Sequence, residues 1–459
     1  MPTRQSTLNE QPAQLSAWWS DFKDPMLNSL VQRALSANLD LRTAVLRIDE
    51  ARSQRDITAA GMWPALSANA AYTRQRLSET TPTGALFSGV GAIRLPGGAG
   101  IEIPNPYNQY QLGASASWEI DLFGRLRRGV EAADANVQVS VEDQHAVLLS
   151  LLGELAQSYL ELRGAQARKA LTIENLATID ELLELTRQRR AAGLTSDLDV
   201  SNAMAQEGIT RALLPALDLQ IAQGIHLLSQ LLAREPEALR SELDAAAPLP
   251  AVPPQVPVGL PAELARRRPD IRQAEASLHA ATAQIGVAVA DLFPRLTLAA
   301  SGGFQSETLG QLVDWASRFG TIGPTLELPI FDRGRWQSVH LQNLRAQEAA
   351  LNYQRLVLNA LYEVENALAA YGADQDQRAW LDSTVVQNRD ALMLARQRYE
   401  SGVAAFIDVL DAERTLQENE LSLLASTTSV VTDLVRLYRA LGGGWQAAQK
   451  DSEKNADGS

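Results

Sequence analysis

The sharpest chemical candidate in the sequence is Asp408-Val409-Leu410-Asp411, with Arg414 one turn further along. Side chains three residues apart share a helix face, so the two carboxylates point the same way. At about 6 Å they repel by roughly 0.7 kcal/mol at water's dielectric and about 3 kcal/mol at an effective dielectric of 20. Such a pair favours cations and needs a countercharge, for which Arg414 is the local partner. Pattern alone favours a plainer role, a solvated acidic turn whose i, i+3 ion pair contributes a few tenths of a kcal/mol.

Little else in the chain is equipped for chemistry. The 459 residues include no cysteine, which removes disulfides, thiolate metal sites and cysteine nucleophiles together. The four histidines, His145, His226, His279 and His340, are scattered with no pair at metal-ligand spacing. No Ser/His/Asp constellation stands out, so neither an enzyme, a metal site nor a cofactor is expected. The formal charge is 41 − 54 = −13, which argues against a nucleic-acid footprint. Apolar residues make up 46%, enough for a packed protein. No apolar run reaches the length of a membrane-spanning helix, and Met1-Pro2-Thr3-Arg4 lacks the apolar core of a secretion signal. Hydropathy is blind, however, to a membrane β-barrel, whose apolar residues alternate.

The elements that would position the acidic pair come in duplicate. Asp40-Leu41-Arg42 recurs as Asp270-Ile271-Arg272, and Trp63-Pro64-Ala65-Leu66 as Phe293-Pro294-Arg295-Leu296. Further on, Arg187-Gln188-Arg189 with Gly193 and Asp199-Val200 matches Arg396-Gln397-Arg398 with Gly402 and Asp408-Val409. The chain therefore reads as a tandem repeat: an N-terminal segment over 1–25, a first repeat over 26–244, a Pro-rich extended linker over 245–261, a second repeat over 262–445, and a disordered tail over 446–459. Each repeat runs helix, strand, loop, strand, long helix, turn, helix. The long helices, about Gly129 to Ala191 and Gly334 to Ser401, carry Ala, Leu and Val at spacings of three and four. Their turns, near 192–197 and 401–407, each hold a glycine suited to a left-handed cap. Helices of this length must pack their apolar stripes on other helices, as in a coiled coil or tube.

Four segments alternate with period two, at about 64–76, 109–121, 295–305 and 319–330. Leu66, Tyr72, Tyr110, Leu112, Trp118, Leu296, Leu298, Phe304, Leu326 and Leu328 are expected on an apolar face, against Ser, Thr, Gln, Asn and Glu on the other. That pattern suits a lipid-facing strand and also a half-buried soluble sheet. Gly, Pro and Thr over Leu77 to Asn108 read as an exposed loop. Four strands cannot close a wide barrel with a polar interior, whereas three chains would supply about twelve. An oligomer is expected, with the long helices of three chains gathered into one cylinder.

The residues now resemble the TolC/OprM family of outer-membrane channels. The resemblance rests on Trp18-Trp19 with Phe22-Lys23-Asp24-Pro25-Met26-Leu27, Trp118-Glu119-Ile120-Asp121-Leu122-Phe123-Gly124-Arg125, Arg267-Arg268-Pro269-Asp270-Ile271-Arg272, Ala290-Asp291-Leu292-Phe293-Pro294, Asp408-Val409-Leu410-Asp411-Ala412 and Leu441-Gly442-Gly443-Gly444-Trp445. Together these span nearly the whole chain, and its two ends resemble the OprM-type branch that serves multidrug pumps. The resemblance implies an α+β membrane protein: a homotrimer with a 12-stranded transmembrane β-barrel, four strands per chain, continued by a periplasmic α-helical barrel, with chain ends and linker in an equatorial belt. Solutes would pass without chemistry, driven by an inner-membrane pump of the RND type joined through a periplasmic membrane-fusion adaptor, with outer-membrane lipid around the barrel. A type I protein-secretion channel and a soluble coiled-coil scaffold are the alternatives.

The resemblance places Asp408, Asp411 and Arg414 at a periplasmic gate, with packing by Leu410. It assigns Asp199 and Tyr399 to hydrogen bonds that hold neighbouring coils shut. Adaptor docking is expected at the hairpin ends, including Gly193, Leu194, Thr195, Gly402, Val403 and Ala405, where the glycines are caps in any case. Two departures stand out. Ala404 occupies the place of a latch arginine in TolC, leaving closure to Asp411, Arg414, Leu410 or another base such as Arg190. OprM-type members commonly mature to a lipidated N-terminal cysteine, and this chain has none, so lipid anchoring is in doubt.

Overall fold

A computed structural model of the chain describes residues 4–9, 15–78, 80–81, 93–94, 100–101, 105–257 and 264–446. Most of the loop expected after Leu77, the end of the Pro-rich linker and the expected disordered tail beyond 446 lie outside the described residues. Two compact units share the chain, and they do not coincide with the two repeats. Residues 1–49, 138–275 and 351–459 form one, and residues 50–137 and 276–350 the other. Each therefore takes segments from both repeats.

The first unit is helical. Helix α1 (Pro25–Ala37) opens on Asp24, whose carboxylate accepts from the backbone of Met26 and Leu27 at 2.8 and 3.1 Å. Helix α2 (Leu39–Ala60) follows, and α3 (Arg125–Ala191) is continuous over 67 residues. Beyond the first turn the return helix comes in two pieces, α4 (Asp197–Ala212) and α5 (Leu214–Leu231). Pro215 accounts for the break, since it has no N–H to donate to the preceding turn. After α6 (Pro269–Ala290), the second hairpin pairs α7 (Arg333–Glu400) with an unbroken return helix, α8 (Phe406–Ala440). The core gathers Trp18, Tyr159, Tyr371, Tyr438 and Trp445 with leucines of α1, α3, α5 and α8. Trp18 stacks on Tyr438 at 5.3 Å, and Trp445 donates to the Arg267 carbonyl at 2.8 Å, which fixes the C-terminal Gly-Gly-Gly-Trp. Strand β1 (Thr7–Asn9) pairs in parallel with a linker strand, β4 (Gln255–Pro257).

The second unit is built on one antiparallel sheet. Its strands are β2 (Ala65–Gln75), β3 (Tyr107–Ile120), β5 (Arg295–Ser306) and β6 (Arg318–Glu327), in the spatial order β2-β3-β5-β6. Every neighbouring pair is antiparallel, and β2 and β6 form the two edges. Phe123 and Phe293, each close to an end of β3 or β5, stack at 4.9 Å. At the start of α7, Asp332 accepts from the backbone of Gly334 and Arg335, capping the helix as it leaves the sheet.

Candidate functional site

Two arrangements are candidates for function, and each lies within one unit. The first is the sheet, where register decides what each face presents. Pairing runs Leu66↔Ala116↔Ala300↔Ile322 and Trp118↔Leu298↔Pro324, which places residues of one parity on one side throughout. That side carries Leu66, Tyr72, Tyr110, Leu112, Trp118, Leu296, Leu298, Phe304 and Leu326, brought from four segments that span most of the chain's length. Leu66 and Ile322 are 78% and 77% exposed, so the protomer itself covers little of this face. Charge enters it only at strand ends, at Arg74 and Arg318. Leu328 falls outside the sheet: β6 ends at Glu327, opposite Arg295, and the following Pro329 cannot donate to a ladder.

The opposite side is polar. Ser67 and Ser115 share a hydrogen bond at 2.9 Å, and Ser301 and Thr321 another at 2.7 Å. Asn69, Thr73, Gln109, Gln111, Gln305 and Thr325 extend the same neutral surface. Charges gather at the end where the helices join. There Arg125 grips Glu119 through two bonds of 2.9 and 2.7 Å, Arg295 reaches Asp291 at 3.3 Å, and Arg335 reaches Glu327 at 3.4 Å.

The second arrangement is the pair of hairpin ends. Gly193 and Gly402 have φ of +75° and +72°, and both turns use the same bonds. Leu194 donates to the Arg189 carbonyl at 2.8 Å, and Val403 to the Arg398 carbonyl at 2.9 Å. Leu194 and Val403 then project into solvent. The return helices are also capped alike: the Asp199 carboxylate accepts from Ser196 N–H at 3.1 Å, and that of Asp408 from Ala405 N–H at 2.9 Å. The hydroxyl of Thr195 donates to Asp199 at 2.5 Å and, with the Ser196 bonds, holds its pKa below the usual carboxylate range against the opposing effect of burial. Asp199 and Asp408 thus serve their own turns. The buried hydroxyl of Tyr399 finds no partner among the described residues. The Tyr399 ring instead lies 5.8 Å from Phe406 and beneath the Arg189 guanidinium at 4.4 Å.

The expected pairing of Asp411 with Arg414 is not made. Arg414 Nε donates to Gln206 of α4 at 2.6 Å, and exposed Asp411 forms no ion pair among the described residues. The reason is a polar chain that the sequence reading missed. Arg396 donates to Glu413 at 2.8 Å, Gln417 to Glu413 at 3.1 Å, Gln206 to Gln417 at 3.5 Å, and Arg414 to Gln206. With only 2% exposed, Glu413 is held on the apolar stripe of α8 between Leu410 and Leu416. The signal was available, since Glu413 breaks the apolar run Phe406, Val409, Leu410, Leu416 at helical spacing. Arg190, considered as a substitute latch, is bound by two bonds to Asp197 at 2.7 and 2.8 Å, on the surface of its own turn. Leu410 is buried with Tyr399, Phe406 and Val409 against Leu182 and Leu183 of the first hairpin.

Comparison with known proteins places these features in context. A family model described as "Outer membrane efflux protein" matches residues 30–234 and 260–443. The chain is 33% identical over 430 residues to the toluene efflux pump outer membrane protein TtgI of Pseudomonas putida, covering 93% of this chain and 87% of that one. It is 36% identical over 437 residues to the outer membrane protein OprJ of Pseudomonas aeruginosa, covering 93% and 86%. Among solved structures, the outer-membrane channel OprN superposes with a TM-score of 0.85 at 34% identity, over 97% of both chains. The Neisseria gonorrhoeae MtrE outer membrane channel in its open state does so with a TM-score of 0.81 at 30% identity, over 97% of both chains.

Proposed function

Since the chain belongs to the outer membrane efflux protein family and is an outer-membrane efflux channel, we propose that three copies join their sheets into one closed barrel of about twelve strands. The observation that carries this is the sheet itself. It has one apolar face, one polar face, and two long edges, β2 and β6, that pair with no further strand among the described residues. A barrel removes both edges, turns the apolar residues to lipid and encloses the polar ones around water. The long helices of the three chains then form a periplasmic duct, and solute moves through it passively.

At the duct's end we place the gate on the second hairpin. Asp411 is exposed and forms no ion pair among the described residues, and threefold symmetry would set three such carboxylates near one another. Their repulsion is offset by packing of Leu410 and Tyr399 and by the polar chain that holds Arg414. Asp199 and Asp408 contribute by shaping the turns. A periplasmic adaptor would grip the exposed hairpin ends at Gly193, Leu194, Thr195, Gly402, Val403 and Ala405, and connect the duct to an inner-membrane pump of the RND type. The relatives' names, which include toluene and antibiotic efflux pumps, favour small organic cargo over secreted protein.

Freeing the second hairpin should open the duct. In planar bilayers, Arg414→Gln, which breaks the bond to Gln206 and leaves the Asp411 repulsion in place, is expected to raise the open probability by roughly 5- to 30-fold, the effect of losing 1–2 kcal/mol of closure. An unchanged open probability from correctly assembled trimers would remove the gate from this position.

A further inference from the structure

On the polar face of the sheet, one large apolar side chain is out of keeping with its neighbours. Phe319 shares a row with Gly303, Gly113 and Asn69. Adjacent strands are about 4.8 Å apart, so Gly113, two strands away, lies roughly 10 Å from the backbone of Phe319. A Cβ placed on Gly113 would nonetheless meet Phe319 Cζ at 3.4 Å. The ring must therefore lie along the sheet, crossing Gly303 with its tip at Gly113. Gly303, between them in the row, has no side chain to stand in the ring's path. The rows on either side offer only small or polar groups: Ser67, Ser115, Ser301 and Thr321 on one, Ala71, Gln111 and Gln305 on the other.

We infer that Phe319 is a solute-contact residue of the channel, presenting its free ring face to aromatic solutes, and most strongly to aromatic cations. This rests on the reading that the polar face lines the conduit. One ring face is spent on covering the two glycines, and the other looks away from the sheet into what would be the lumen. In an otherwise neutral polar wall, the face of a phenyl ring attracts other rings by offset stacking and cations through its quadrupole. Threefold symmetry would set three such rings at one height, making an aromatic girdle that each cargo molecule must pass. Small inorganic ions, strongly hydrated, would pass it without delay.

Full-length trimers in planar bilayers provide the test, with tetraphenylphosphonium or ring-free tetrabutylammonium added from the side of the sheet's loops. Wild type is expected to hold tetraphenylphosphonium longer than tetrabutylammonium. Phe319→Leu should shorten the tetraphenylphosphonium residence by roughly 2- to 10-fold, while tetrabutylammonium residence and potassium chloride conductance stay as they were. Phe319→Tyr, which keeps the ring, should behave as wild type. If the leucine variant fails to form trimers, Phe319→Trp against Phe319→Tyr decides: longer residence on the larger ring supports the assignment, and equal residence overturns it. A conducting wild type whose residence times are unchanged in Phe319→Leu overturns this inference alone. A wild-type trimer that never conducts overturns the channel reading, and this inference with it.

Discussion

Gly303→Ala is expected to lower sharply the yield of the assembled form of the protein in the outer membrane, whereas Gly323→Ala should leave it at wild-type level. The two glycines lie on the same face of the same sheet. A Cβ on Gly303 has nowhere to go, since it would overlap the Leu112 carbonyl oxygen and the Gly113 Cα, both of them backbone. Backbone cannot swing aside as a side chain can. Relief requires β3 and β5 to separate, and overpacking of this kind costs roughly 1–3 kcal/mol, occasionally more. Separation would also lift Phe319 from its seat across the two glycines. Gly323, by contrast, has no atom within 4 Å of the added carbon. Heat-modifiable trimers counted in the outer-membrane fraction check the pair. Equal yields from the two variants would mean that β3 and β5 do not approach as closely as described.

The second large effect comes from placing one charge on either side of a single strand. Ala300 and Ser301 are neighbours at the middle of β5, in rows that read Leu66, Ala116, Ala300, Ile322 and Ser67, Ser115, Ser301, Thr321. If the first row faces lipid, Ala300→Arg costs about 2–4 kcal/mol at the bilayer midplane, comparable to much of a domain's net stability. Ser301→Arg places the same guanidinium in water, at little cost to assembly. It should instead shift the pore toward anions, measured as a changed reversal potential in a salt gradient. The asymmetry between adjacent residues is the prediction, since a soluble sheet would tolerate an exposed arginine at either position.

Much of this was legible in the sequence because the governing periodicities are short. Alternation with period two is a property of a strand's own residues, and it assigned the apolar face before any pairing was known. The glycine turns are equally local, each spanning fewer than ten residues, although the capping role of Asp199 and Asp408 beside them emerged only from the structure. What stayed hidden depends on partners far apart in sequence. Arg414 lies one turn from Asp411, yet its bond goes to Gln206, because Gln417 and buried Glu413 have already organised the interior of the hairpin pair. The Tyr399 ring is held by Arg189 from the other hairpin, a contact that no local spacing announces. Phe319 escaped notice because its strand alternates weakly, with Gly320, Gly323 and Pro324 among its residues. Only the register with Gly303 reveals that it lies on the polar side. Leu328 shows the converse, a residue of the right parity beyond the point where a proline ends the ladder.

The central claim is that the polar face encloses water while the apolar face meets lipid, and the absence of cysteine makes a direct measurement background-free. Single substitutions to cysteine from Thr297 through Ser301, one at a time along β5, would be exposed in intact outer membranes to a charged, membrane-impermeant maleimide. Thr297→Cys, Ala299→Cys and Ser301→Cys should be labelled, and Leu298→Cys and Ala300→Cys protected. Uniform labelling along the strand, or labelling of the even positions in place of the odd ones, would contradict the account.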